Sequence, residues 1–102
     1  MLEREINTLS ITDWHKAEQV IERICLKEGL WVSLKNTLRQ YPGSVHWHFK
    51  QAGGNAGVLE ITLWPDQNRL WLSVHDSGDA GGDAAWIPDT FERIAAQLAY
   101  WL

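Results

Sequence analysis

Three stretches in the middle of the chain alternate between apolar and polar residues. They cover residues 44–51, 58–64 and 69–75, and turn-forming residues separate them at 52–57 and 65–68. Successive side chains of a strand point to opposite faces, so this period of two predicts three strands with one buried face. Because the connections are short, the strands are expected to form an antiparallel meander.

A period of three to four residues flanks this meander on both sides. Apolar residues recur at helical spacing over residues 14–25, and Gly29 is expected to cap or kink the helix there. The same spacing continues over residues 30–40, as one bent helix or as two. A last helix is predicted over residues 88–102, with Pro88 at its first position.

Together these elements predict the fold class α+β in the order α-β-β-β-α, with helices packed on one face of a three-stranded antiparallel sheet. Residues 1–10 show no clear period and are expected to form a short N-terminal arm. A chain of 102 residues has room for one hydrophobic core, so residues 1–102 are expected to be a single domain.

The predicted meander has a second face, turned away from the helices, that carries the polar residues of the alternation. A turn at 65–68 would place Trp64 beside Arg69 and Thr62 beside Trp71, with Arg69 stacked on Trp64. Inward residues of the first and second predicted strands are expected to lie opposite one another. The outward neighbours would then be Lys50 and Glu60 as an ion pair, His48 and Thr62, and His46 and Trp64.

Tryptophan is unusually frequent, with seven residues against two Phe and two Tyr. Those expected in the core, because they fall on apolar stripes, are Trp14, Trp31, Trp47 and Trp101. Trp64 and Trp71 lie on the outward face, where each would bury about 150–250 Å² if covered. They are expected to contact another molecule, to be covered by residues 1–10 or 76–87, or to stay exposed.

The spacing His46-x-His48 places two imidazoles on one face of a strand, as many zinc sites need. A third ligand is harder to find. His75 would lie two rows from His48, roughly 13 Å along the sheet, and Glu60 is expected to pair with Lys50. The pattern therefore favours polar strand residues over a metal site.

Charge narrows the classes of partner. The chain has a net charge of -4, and residues 51–102 carry two Arg against seven Asp or Glu, a balance of -5. A negative field repels phosphate, which disfavours nucleic-acid binding. The α-β-β-β-α order is similar to that of double-stranded RNA-binding domains, but residues 87–90 read Ile-Pro-Asp-Thr where those domains carry a lysine cluster.

The single cysteine and the absence of long apolar stretches bear on location. Cys25 lies on the apolar stripe of the first helix, which predicts a buried, inert thiol. One cysteine allows no internal disulfide, in keeping with a reducing compartment. No apolar stretch approaches the 18 or so residues of a membrane span. A cytoplasmic protein without a membrane partner is expected.

The sequence contains no recognised catalytic or cofactor motif, so a non-enzymatic role without a cofactor is favoured. The leading hypothesis is a module that binds another protein or a second copy of itself, as small regulatory, adaptor or immunity proteins do. The alternative is a small-ligand or metal-binding domain, which could be an enzyme, using His46 and His48. The candidate binding residues are Trp64, Trp71, His48, His46, Thr62 and Arg69, with Asp79 and Asp83 as steering charges.

Overall fold

A computed structural model describes residues 3–52, 57–75 and 86–102. Within these ranges the fold is α+β, with one five-stranded antiparallel sheet and two α-helices. The elements in chain order are β1 (Glu3–Glu5), α1 (Trp14–Lys27), β2 (Leu30–Asn36), β3 (Val45–Gln51), β4 (Val58–Trp64), β5 (Arg69–His75) and α2 (Ile87–Trp101). The strand order across the sheet is β1-β5-β4-β3-β2. The three predicted strands are present as the antiparallel neighbours β3, β4 and β5, but they are part of a five-stranded sheet. The predicted order α-β-β-β-α and the three-stranded sheet are therefore only partly right, because β1 and β2 were not predicted.

The first helix begins and ends at residues that satisfy its free backbone groups. The Asp13 side chain accepts a hydrogen bond of 3.1 Å from the backbone N–H of Lys16, so Asp13 is the N-cap. At the other end Gly29 adopts φ +82°, a left-handed conformation in which a residue with a Cβ would be strained. The predicted role of Gly29 as the end of the helix is confirmed.

The helix predicted over residues 30–40 is wrong, because residues 30–36 form strand β2 at the edge of the sheet. Six of its seven side chains are exposed, so an alternation between buried and exposed residues is missing. A β-bulge between Val32 and Leu34 shifts the register further. The four-residue spacing of Leu30, Leu34 and Leu38 is also that of one face of an amphipathic helix. It therefore predicted a helix where the chain forms a strand.

The predicted N-terminal arm is also wrong in part. Glu3, Arg4 and Glu5 form strand β1, which pairs with β5 and adds the fifth strand to the sheet. Ile6 follows it into the core and donates its backbone N–H to the Leu70 carbonyl at 2.9 Å. A three-residue strand with exposed side chains carries no period that a sequence pattern can reveal.

The helices pack on one face of the sheet, here called the inner face, as predicted. The fully buried side chains at the centre of the core are Ile21, Cys25, Trp47, Leu59, Ile61, Leu70, Leu72, Phe91, Ile94 and Leu98. Desolvation raises the pKa of the Cys25 thiol, and a buried thiol that keeps its proton is a poor nucleophile. None of the described helices is long and apolar enough to cross a membrane.

Two of the four tryptophans expected in the core are exposed instead. Trp31 is 49% exposed on edge strand β2, and Trp101 is 65% exposed at the last position of α2. Trp47 is fully buried and Trp14 is partly buried against the core. The two exposed residues lie at the edge of the sheet and at the end of a helix, where no element of the described part of the chain covers them.

Candidate metal centre

Strands β3 and β4 pair two residues away from the predicted register. Glu60 lies opposite His48, not Lys50, and Thr62 lies opposite His46, not His48. The predicted ion pair between Lys50 and Glu60 is therefore wrong. The observed inward pairs are Val45 with Leu63, Trp47 with Ile61 and Phe49 with Leu59. All three inward residues of β3 thus meet inward residues of β4, whereas the predicted register would have left Val45 opposite Pro65.

This register brings three potential ligands together on the outer face of the sheet, the side opposite the helices. The Nε2 atom of His46 lies 3.0 Å from Oε1 of Glu60 and 3.1 Å from Nε2 of His48. The Nε2 atom of His48 lies 3.3 Å from the same Glu60 oxygen. One donor atom from each residue therefore forms a closed triangle, called the donor triangle below.

Protons alone cannot satisfy all three sides of the donor triangle. Each imidazole Nε2 carries at most one proton, and an ionised carboxylate carries none. Two N–H groups can both donate to the Glu60 oxygen, which leaves these two donors facing each other across the third side. With only one N–H group, two lone-pair atoms face each other instead. A cation between the three atoms would attract all of them.

The distances also match a metal site. Zn–N bonds of about 2.0–2.1 Å at tetrahedral angles place neighbouring donor atoms roughly 3.3–3.4 Å apart. The sides of the donor triangle, 3.0, 3.1 and 3.3 Å, are close to this spacing. His46, His48 and Glu60 form a His₂Glu set, which supplies three of the four positions of a tetrahedral ion.

The surroundings hold the donor triangle in place. The side chains of His46 and Glu60 are 7% and 10% exposed, whereas that of His48 is 34% exposed. The Nδ1 atom of His46 lies 2.8 Å from the hydroxyl of buried Thr62. If Nδ1 donates its proton to that oxygen, Nε2 keeps its lone pair directed into the triangle. Solvent reaches the triangle on the His48 side.

The two tryptophans of the outer face are covered within the chain. The ring of Tyr41, from the connection between β2 and β3, lies 4.7 Å from the Trp64 ring and 5.2 Å from the Trp71 ring. Trp64 also donates its indole N–H to the Pro42 carbonyl at 2.9 Å. Gly43, at φ +80°, allows the tight turn that brings this connection back over the sheet. All three rings remain partly exposed.

Arg69 lies opposite Trp64 in the register of β4 and β5, as predicted, but its guanidinium contacts a different ring. Its guanidinium lies 4.4 Å from the centroid of Trp71 instead of stacking on Trp64. It also donates two hydrogen bonds, of 3.0 and 2.8 Å, to the Glu5 carboxylate on β1. These bonds lower the pKa of Glu5 and fix the Arg69 side chain toward β1. The prediction missed this partner because β1 was assigned to an arm.

The structure thus brings together three of the sequence-predicted binding residues, His46, His48 and Thr62, and adds Glu60 to them. Trp64, Trp71 and Arg69 form a neighbouring cluster around Tyr41. Asp79 and Asp83 lie outside the described residues. Comparison with known proteins finds no family model, no curated protein and no solved structure that matches this chain.

Proposed function

We propose that this protein binds a divalent transition-metal ion, Zn²⁺ in the first place, through His46, His48 and Glu60. The observation that carries the proposal is the donor triangle, whose sides measure 3.0, 3.1 and 3.3 Å. A cation satisfies all three of its contacts, whereas protons satisfy two. Two imidazoles and one carboxylate are a ligand set that zinc proteins use repeatedly.

The proposed ion would have three protein ligands and one remaining position. Because His48 is the most exposed of the three side chains, water or a small ligand would reach the ion from its side. Zinc sites with an open position polarise the water or substrate that binds there. Thr62 would serve as a positioning residue that fixes the ring of His46.

A competition titration tests the proposal. The protein is stripped with a chelator and titrated with Zn²⁺ against a chromophoric chelator of known affinity. We expect one Zn²⁺ per chain for the natural protein, and at least a tenfold weaker affinity for His48→Gln and for Glu60→Gln. His15→Gln is the matched control, since His15 is exposed on α1, which packs on the inner face, whereas the triangle lies on the outer face.

Cobalt provides an independent measure of the geometry. Co²⁺ bound in place of Zn²⁺ should give the intense visible absorption of a tetrahedral site, and His48→Gln should remove it. If His48→Gln and His15→Gln change zinc affinity equally, the proposal is wrong. Circular dichroism of each variant separates a lost ligand from a lost fold.

We also propose, as a second function, the interaction with another protein or with a second copy that the sequence suggested. It is supported by the cluster of Tyr41, Trp64, Trp71 and Arg69, because Trp, Tyr and Arg are the residue types that dominate interface energies. Light scattering over a dilution series tests self-association. A particle mass that rises with concentration in the natural protein but not in Trp71→Ala supports this function, and a constant monomer mass contradicts the homodimer.

A further inference from the structure

A groove of about 450 Å³ runs between the two helices, on the opposite side of the molecule from the donor triangle. Helix α1 contributes one stripe of side chains to it, and α2 contributes Trp101 and Gln97. This stripe includes Lys16, Val20, Arg23 and Lys27. The stripe spans three turns, roughly 16 Å at 1.5 Å per residue.

The rim of the groove is positively charged in a chain whose net charge is -4. Lys16, Arg23 and Lys27 are exposed, and none has an ion-pair partner among the described residues. The acidic residues of the first helix and its cap are engaged elsewhere. Glu18 and Glu22 bind Lys35, and Glu28 binds Arg93.

The floor of the groove is apolar. Ile24 is buried beneath it, and Val20 is partly buried. At one end Trp101 is 65% exposed and packs edge-on against the ring of Tyr100. Trp101 and the exposed Arg23 line the same groove, and Trp and Arg are two of the residue types enriched in interface hot spots.

We propose that this groove, independently of the metal centre, binds an acidic amphipathic helix of a partner protein. A groove between two helices accepts the apolar stripe of a third helix, with side chains spaced by three and four residues. Carboxylates on the flanks of that helix would meet Lys16, Arg23 and Lys27, which form no ion pair among the described residues that would have to break first. A helix of about 11 residues matches the length of the α1 stripe.

Three designed peptides test the charge and the pattern separately. The probe is a fluorescein-labelled helix with leucine on one stripe and glutamate on its flanks. One matched peptide replaces every glutamate with lysine, and the other keeps the composition but scrambles the stripe. We expect fluorescence anisotropy to show at least tenfold tighter binding of the probe than of either matched peptide, with affinity falling as salt rises. Equal affinity for the probe and the scrambled peptide would overturn the proposal.

Variants of the chain locate the binding. Arg23→Glu and Trp101→Ala should each weaken binding of the probe at least tenfold. Arg39→Glu, on the exposed connection between β2 and β3, makes the same change of charge away from the groove and should alter affinity less than twofold. An equal loss in Arg39→Glu and Arg23→Glu would mean nonspecific attraction and overturn the proposal. So would a concentration-dependent dimer that Arg23→Glu abolishes, which would identify a second copy as the occupant.

Discussion

The inner and outer faces of the sheet both bury side chains at its centre, but the residues they bury are of different kinds. On the inner face Trp47, Ile61 and Leu72 are fully buried among other apolar side chains. On the outer face the most buried side chains belong to His46, Glu60 and Thr62, and every one has a polar partner. Apolar burial is non-directional, whereas the outer face depends on hydrogen bonds of defined geometry.

This difference decides what each face can be used for. An apolar core needs the right volume and tolerates exchanges among aliphatic residues. A buried carboxylate beside two imidazoles is costly unless its charge is compensated, and such sites are held in proteins mainly for function. We therefore assign stability mainly to the inner face and the proposed metal binding to the outer face. Substitutions on the two faces should separate these roles.

The largest effect is expected on the inner face. Ile61→Ala should lower the free energy of unfolding by about 2–5 kcal/mol, because it leaves a cavity among fully buried neighbours. Urea unfolding in a chelating buffer measures this loss without any contribution from metal. Val32→Ala on exposed strand β2 is the control, with an expected loss below about 1 kcal/mol. If Ile61→Ala does not fold, Ile61→Val should still show about 0.5–1.5 kcal/mol.

The next effect is expected one residue along the same strand, on the outer face. Thr62→Val keeps the volume but removes the oxygen that lies 2.8 Å from Nδ1 of His46. Loss of this contact to a buried imidazole should cost about 1–3 kcal/mol of stability. Zinc affinity should fall about 10–100-fold, because the ring loses the contact that orients it.

Thr90→Val is the matched control for Thr62→Val. Thr90 is also a buried threonine, but it lies on α2 and accepts a hydrogen bond from Arg93. We expect the chelator titration to give unchanged zinc affinity for this variant. Equal loss of affinity in the two variants would contradict the positioning role of Thr62 and leave only a general effect of stability.

The alternation of the meander shows how far sequence could predict this fold. It placed Trp47, Ile61 and Leu72 on the inner face because one side of each strand is buried and the other carries polar residues. The same rule failed for β2, where both sides are exposed. A pattern of burial cannot reveal a strand that has no buried face.

The donor triangle was missed for a different reason. A register error of two residues leaves every side chain on its own face, so alternation cannot distinguish the observed pairing from the predicted one. The predicted register paired Glu60 with Lys50 instead of His48, so Glu60 was not recognised as the third ligand. Counting inward pairs would have favoured the observed register, because it matches Val45 with Leu63 instead of Pro65.

A smaller effect is expected where the outer face is covered by aromatic rings. Tyr41→Ala should cost about 1–2 kcal/mol, since the ring packs on both Trp64 and Trp71. Tryptophan emission should move to longer wavelength, and acrylamide should quench it more efficiently. Tyr100→Ala is the control for stability only, because that ring is exposed on α2 but contacts Trp101, and its loss should cost less than about 0.5 kcal/mol. Unchanged emission in Tyr41→Ala would show that the ring does not shield the tryptophans.

The smallest effect is expected on the helix side, where the charged contacts are peripheral. Hydrogen bonds from Arg93 and Gln97 lower the pKa of the Glu28 carboxyl, although burial opposes them. Glu28→Gln should therefore lower the free energy of unfolding by less than about 1 kcal/mol at neutral pH. Because the folded pKa lies below the ordinary value of 4.5, the contribution of Glu28 is complete above that value and is lost as the pH falls through the folded pKa. The natural protein and Glu28→Gln should be denatured at several pH values from neutral to acidic. The difference between their free energies of unfolding should decrease as the pH falls, and 1 M NaCl at neutral pH should also reduce it. A difference that grows on acidification would mean that Glu28 is stabilised more strongly in its protonated than in its charged form.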